Sequence, residues 1–252
     1  NNTALGYNSL AANTTGYDNV AVGRNALDAN VGGHSNTAVG ESSLTSNTEG
    51  DRNIAIGQNA MAVNTTGSEN VGIGRNALDA NTTASNNVAV GDSALTANTT
   101  GNFNVSVGSL SLDANTTGSQ NTAVGRHALS SNTTASQNTG IGSNALGDCT
   151  TGGNNSAVGD DCLGSLTTGA SNVAMGRGAG INVTTGTHNV ILGIDCGDTT
   201  TTGDTNILIG NTARASASGG ANQISMGVVA TCVGDNNFTF GNQGTDSNIA
   251  FG

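Results

Sequence analysis

Short triplets in which two apolar or β-branched residues flank a small one recur along the chain, as in Val20-Ala21-Val22, Ile54-Ala55-Ile56 and Val88-Ala89-Val90, and a glycine closes each. These glycines, Gly6, Gly23, Gly40, Gly57, Gly74, Gly91, Gly108, Gly125, Gly142, Gly159, Gly176, Gly193, Gly210 and Gly227, follow one another every 17 residues without an insertion or deletion. With the glycine as position 5, the repeat reads N-x-A-V-G-x-x-A-L-x-x-N-T-T-G-x-x. Alternation over positions 2 to 4 has the two-residue period of a strand and is too short for a helical face. Ala-Leu at positions 8 and 9 reads as a second short strand, and N-T-T-G reads as a turn, because Asn and Gly accept positive φ and Thr bonds to nearby backbone.

Constant spacing means that every turn of chain occupies the same place in a stack, since one extra residue would throw all later side chains out of register. The predicted fold is therefore all-β, a parallel β-solenoid or β-roll of 17-residue repeats. At about 4.8 Å per rung it would form a rod on the order of 65 Å long. Position 4 is always apolar and is the expected inward row: Val22, Val39, Ile56, Ile73, Val90, Val107, Val124 and Ile141. Position 1 is Asn in nearly every unit, and Asn19, Asn36, Asn53, Asn70, Asn87, Asn104 and Asn121 are expected to stack as a structural ladder, as identical amides do in cross-β assemblies.

Residues 1–227 hold the regular repeat and 228–252 a shortened continuation. In that tail Asn237-Phe238-Thr239-Phe240-Gly241 and Asn248-Ile249-Ala250-Phe251-Gly252 return at spacings of 14 and 11 residues. Leucine at position 9 gives way to Gly180, Gly197 and Arg214, so Phe238, Phe240 and Phe251 are expected to fill the core that those leucines vacate.

Composition narrows the function classes. Only 2% of residues are aromatic and 9% charged, with 39 Gly and no Pro or Trp, which does not suit the bulky core of an ordinary globular enzyme. A net charge of −11, with arginine as the only basic residue besides three histidines, argues against nucleic acid and against anionic lipid. No apolar run approaches the roughly 20 residues of a membrane span and no signal leader is visible, so the sequence reads as a mature piece or an interior fragment. Cys149, Cys162, Cys196 and Cys232 are too irregularly spaced for a zinc site or a disulfide framework and read as small apolar fillers.

Candidate chemistry is sparse. His34, His127 and His188 lie several repeats apart and do not share a site. Asp148, Asp160, Asp161, Asp195, Asp198 and Asp204 gather loosely but lack the spacing of a calcium loop. Neither a catalytic group, nor a cofactor site, nor a metal site is expected. Arg24, Arg75, Arg126 and Arg177 all fall at position 6, every third rung, and form a candidate lateral contact row. Glu41, Asp92 and Asp160 stand one rung from Arg24, Arg75 and Arg177, close enough for exposed ion pairs. Asn-x-Ser/Thr sequons at Asn13, Asn64, Asn81, Asn98, Asn115 and Asn132 are formal glycan acceptors, although the turn chemistry already explains them.

The run NTAVGRHALSSNTTASQNTGIG at 121–142 resembles the N-T-A-x-G-x-x-A-L repeats of phage tail fibres and virion fibre proteins, and more distantly the head repeats of trimeric autotransporter adhesins. That resemblance implies a left-handed, commonly trimeric β-roll displayed outside a cell or on a virion. The expected role is a structural repeat protein of an extracellular fibre or filament, adhesive or spacing, without catalysis. Expected partners are further copies of the chain, as a homotrimer or an end-to-end filament, and a surface receptor or glycan. The alternatives are a receptor-binding tail-fibre shaft and a flat face that binds ice or carbohydrate; for ice, the Thr residues at positions 13 and 14 lie on a turn and not on a strand face.

Overall fold

The structure, a computed structural model, describes residues 1–241 and the strand at 247–250. It is a β-solenoid with one three-residue strand per 17-residue rung, in two compact units, Asn1–His127 and Ala128–Gly252. The first unit holds β1 (Thr3–Leu5), β2 (Val20–Val22), β3 (Thr37–Val39), β4 (Ile54–Ile56), β5 (Val71–Ile73), β6 (Val88–Val90), β7 (Val105–Val107) and β8 (Thr122–Val124). Each pairs in parallel with the next at equivalent repeat positions, for example Val88 with Val105 and Val90 with Val107.

The second unit holds β9 (Thr139–Ile141), β10 (Ser156–Val158), β11 (Val173–Met175), β12 (Val190–Leu192), β13 (Ile207–Ile209), β14 (Ile224–Met226), β15 (Asn237–Phe240) and β16 (Ser247–Ala250). Pairing is parallel up to β15, and β16 then runs antiparallel to β15. Parallel pairing aligns Phe238 with Ile224 and Phe240 with Met226, at positions 2 and 4. Those positions face outward, so the two phenylalanines do not fill the core: Phe240 is 61% exposed. Phe251 lies outside the described residues.

The inward row is also corrected. Ala21, Ala38, Ala55, Ala89 and Ala123 at position 3 are fully buried. Val22, Val39, Ile73, Val90, Val107 and Val124 are half-buried, and Ile56 and Ile141 are each 39% exposed. The reason is the narrowness of the coil. At Gly72, in position 3, an added Cβ would already lie 3.2 Å from Ala77 O and 3.2 Å from Met61 Cγ across the interior. Alternation along the strand then forces positions 2 and 4 outward.

No second strand forms at Ala-Leu. Leu27, Leu44, Leu78, Leu95, Leu112 and Leu129 sit in turns at φ between 50° and 54° or just outside it, and all are fully buried. A left-handed leucine is uncommon and costs on the order of 1 kcal/mol. Complete burial of the side chain, worth about 1.5–3 kcal/mol, offsets it. Backbone bonding from rung to rung continues through these turns, with Leu78 N donating to Ala94 O and Leu95 N to Ser111 O at 3.1 and 2.9 Å. Position 5 needs glycine for two reasons: Gly91 has φ +141°, and a Cβ there would meet Gly108 O at 2.5 Å.

In the second unit the apolar filling changes sides. Where position 9 becomes Gly180 and Gly197, position 3 grows to Ile191 and Leu208, both fully buried. A Cβ on Gly180 would meet Ile191 Cδ1 at 2.9 Å, and one on Gly197 would meet Leu208 Cδ1 at 3.3 Å.

Adjacent substitutions test the orientation of the strand. Ala89→Asp should cost about 3–5 kcal/mol or prevent folding, because it buries an unpaired charge. Val90→Asp should keep the native circular dichroism and lose about 1 kcal/mol or less in chemical denaturation of dilute protein.

Candidate functional site

The interior is lined by two amide ladders, not one. At position 1, each Asn side-chain oxygen accepts the backbone N–H of the Asn one rung on: Asn36 N to Asn19 Oδ1, Asn53 N to Asn36 Oδ1 and Asn104 N to Asn87 Oδ1 are all 2.9 Å. The same pattern joins Asn70 to Asn53, Asn87 to Asn70 and Asn121 to Asn104 at 3.0 Å. In the second unit it runs from Asn138 through Asn155, Asn172, Asn189 and Asn206 to Gln223.

The second ladder is at position 12, in the sequon asparagines. Asn47 Nδ2 donates to Asn30 Oδ1, Asn64 Nδ2 to Asn47 Oδ1 and Asn81 Nδ2 to Asn64 Oδ1 at 2.8–2.9 Å. Both ladders meet on the carbonyl of position 15: Gly50 O accepts from Asn36 and Asn47, and Gly101 O from Asn87 and Asn98. A Cβ on Gly101 would lie 2.2 Å from Gly118 O and 2.6 Å from Asn98 Oδ1, which favours glycine there, while Ala84 and Ala135 fill the same position in two other rungs. Asn64, Asn81, Asn98, Asn115 and Asn132 are fully buried, so a glycan on any of them is incompatible with the folded rung. Sequence reasoning treated position 12 as turn chemistry; the available signal was that Asn recurs there in every unit up to Asn132. None of these asparagines has the positive φ that a turn role would use.

A third ladder runs at position 16. Side-chain oxygens of Asp51, Ser68, Ser85, Asn102 and Ser119 accept the position-16 backbone N–H of the preceding rung at 2.7–3.0 Å. Thr hydroxyls at position 13 are likewise engaged, with Thr65, Thr82 and Thr99 donating to the next rung's carbonyl at 3.0–3.2 Å.

The titratable groups are dispersed. Arg24 pairs with Glu41, and Arg75 Nε lies 2.8 Å from Asp92 Oδ1, both as the sequence suggested. Arg177 pairs with Asp195 at 3.0 Å and not with Asp160, and exposed Arg126 completes the candidate row. Arg52 pairs with Glu69, and Arg214 is held bidentately by Asp198 at 2.7 Å on both arms. His34 stacks on Tyr17 at 4.7 Å and sits 3.2 Å from Asp51, remote in sequence from His127 and His188. Among the described residues no three His, Cys, Asp or Glu side chains gather as a metal site.

What remains as a functional surface is the outer face of the strands. Position 2 is Thr3, Val20, Thr37, Ile54, Val71, Val88, Val105 and Thr122 in the first unit, beside the outward position-4 row. Together they make two columns of β-branched and aliphatic side chains with no charge in either. Val20 is 37% and Ile54 38% exposed, against zero for Ala21 and Ala55 beside them. The face of the second unit carries larger side chains, with Met175 56% and Val173 46% exposed.

Two outcomes are expected. Asn98→Ala leaves Asn81 Oδ1 without its donor and removes one of the two hydrogen bonds made by Asn115 Nδ2 and by Gly101 O, and it should cost about 1–3 kcal/mol in denaturant titration. Thr100→Ala, two residues away and exposed, should stay within about 0.5 kcal/mol. Burial pushes the thiols of Cys149, Cys162 and Cys196 up to about 11, 12 and 12 from an ordinary 9.0, so the reactive thiolate is disfavoured until pH rises well above 9. All three are fully buried, so a colorimetric thiol reagent at pH 8 should find them unreactive in native protein and reactive after unfolding.

No protein-family model matches this chain, and no curated protein matches it.

Proposed function

We propose that this chain is a non-catalytic structural repeat module of an extracellular fibre, serving as an adhesive shaft or spacer. The observation that carries the reading is that the same hydrogen bonds recur every 17 residues, through backbone and amide ladders alike, so that each rung is held mainly by its neighbours. Such a stack bears load along its axis and can be lengthened by whole rungs without redesign, which suits a spacer. The sequence resemblance to tail-fibre and adhesin-head repeats supports display on a virion or cell surface and self-association, and a receptor or glycan is the partner in the adhesive version.

The ice-binding alternative has one supporting observation, the apolar strand face with its regular rung-to-rung register. Against it, the position-13 Thr hydroxyls are committed to backbone carbonyls.

Immunogold labelling of the native source with antibody against the chain tests the proposal. Gold on fibres outside the cell, or on virion appendages, is expected. Label confined to the cell interior would refute the fibre reading.

A further inference from the structure

The regular stacking of rungs ends within the second unit, at side chains that depart from the repeat. Gln223 stands where every earlier unit has the position-1 asparagine. Its backbone N–H still donates to Asn206 Oδ1 at 3.0 Å, but its longer side chain turns back instead of reaching on. Oε1 accepts Ser216 N at 2.8 Å, and Nε2 donates to Ser216 Oγ at 2.8 Å and to Asp235 Oδ1 at 2.9 Å. Asp235 Oδ1 also accepts Ala221 N at 2.9 Å. Among the described residues no ladder bond passes from Gln223 to Asn237. Arg214 takes the place of the position-9 leucine and is tied to Asp198, and the coil from Gly227 to Gly241 lacks the N-T-T-G turn.

We infer that this end of the second unit is a stop for rung stacking, in which Gln223, Asp235 and the antiparallel strand β16 close the solenoid against any further rung. The inference goes beyond the fibre reading and does not rest on it. Strands β9 to β15 pair in parallel, so the outer edge of β15 is the template on which another rung would seat. β16 takes that edge, pairing Ile249 with Phe238 and Asn248 with Thr239 in the opposite sense. Parallel bonds are evenly spaced and slanted, whereas antiparallel bonds run perpendicular in close and wide pairs. A rung laid over β16 would therefore meet the wrong bond pattern.

The rest of the rung is closed as well. In the regular coil, backbone bonds continue outside the strand, as from Leu146 N to Cys162 O at 3.0 Å and from Thr167 N to Thr184 O at 2.8 Å. The last coil is shorter and has no Thr-Thr-Gly turn to continue that second set, and both donors of Gln223 Nε2 are already used. A solenoid end without such closure exposes unpaired strand groups and templates further stacking. A chain closed here does not extend head to tail through this end, which separates a closed assembly from an end-to-end filament.

The edge of β1 serves as the probe. Thr3 N donates to Asn19 O at 2.8 Å and Leu5 O accepts from Gly23 N at 2.9 Å, so Ala4 between them points its own N–H and C=O away from β2. Sedimentation velocity of the full chain, from low micromolar to several hundred micromolar, then tests the stop. The parent should reach a fixed mass, monomer or closed oligomer, that no longer rises with concentration. The variant Asn248→Pro, Ile249→Pro removes two adjacent N–H groups of β16, one of which must face β15, and should grow into ever larger species. Adding Ala4→Pro to it should restore the parent's fixed mass. A parent that grows without limit overturns the inference. So does a proline variant that keeps the parent's mass, or growth that Ala4→Pro leaves unchanged. In case the proline variant folds poorly, hydrogen exchange of the parent decides. Every amide of β15 should be protected, whereas alternate β15 amides exchanging as fast as those of exposed turns would reveal an open edge and refute the stop. None of these outcomes depends on where the immunogold label falls, so failure of the fibre reading and failure of the stop are distinguishable.

Discussion

Buried asparagine side chains that bond from rung to rung, with two of them meeting on one backbone carbonyl throughout the first unit, are the constraint on which the rest of this structure depends. A buried amide left unpaired costs about 1–3 kcal/mol, so an interior lined with asparagine is stable only when every rung places the next donor within reach. That requirement explains the absence of any insertion over fourteen repeats. It also keeps the coil narrow, because side chains as short as Asn must reach across it to Gly50 O or Gly101 O.

Narrowness then decides the burial of everything else. Alanine, glycine or serine fits the middle of the strand, and leucine fills the remaining interior from a left-handed turn. Where a serine replaces alanine, it is bonded locally: Ser106 Oγ lies 2.6 Å from Ser111 Oγ and donates to Ser111 O. The larger β-branched residues of positions 2 and 4 are left on the outside, where they build an apolar face. The second unit shows how the interior tolerates change. Leu166 and Val183 occupy the place of ladder asparagines, and apolar bulk passes from position 9 to Ile191 and Leu208. Position 12 reads Cys149, Leu166, Val183 and Thr200 over these rungs, and the change is not free: Thr200 Oγ1 is buried without a hydrogen-bond partner.

Periodicity by itself determined the fold class, the rung length, the place of the strand, the first asparagine ladder and two of the position-6 ion pairs. These follow from spacing, and spacing is a property of the chain alone. The inward face was not legible, because an alternating triplet such as Val88-Ala89-Val90 states that two faces differ without stating which one is inside. The usual preference for burying the larger residues pointed the wrong way here. Only the tertiary structure, by setting the width of the coil, placed alanine inside and valine outside. It likewise turned the sequon asparagines inward as a second ladder and carried Phe240 to the outer face, since register with Met226, and not hydrophobicity, fixes the side on which a strand residue falls.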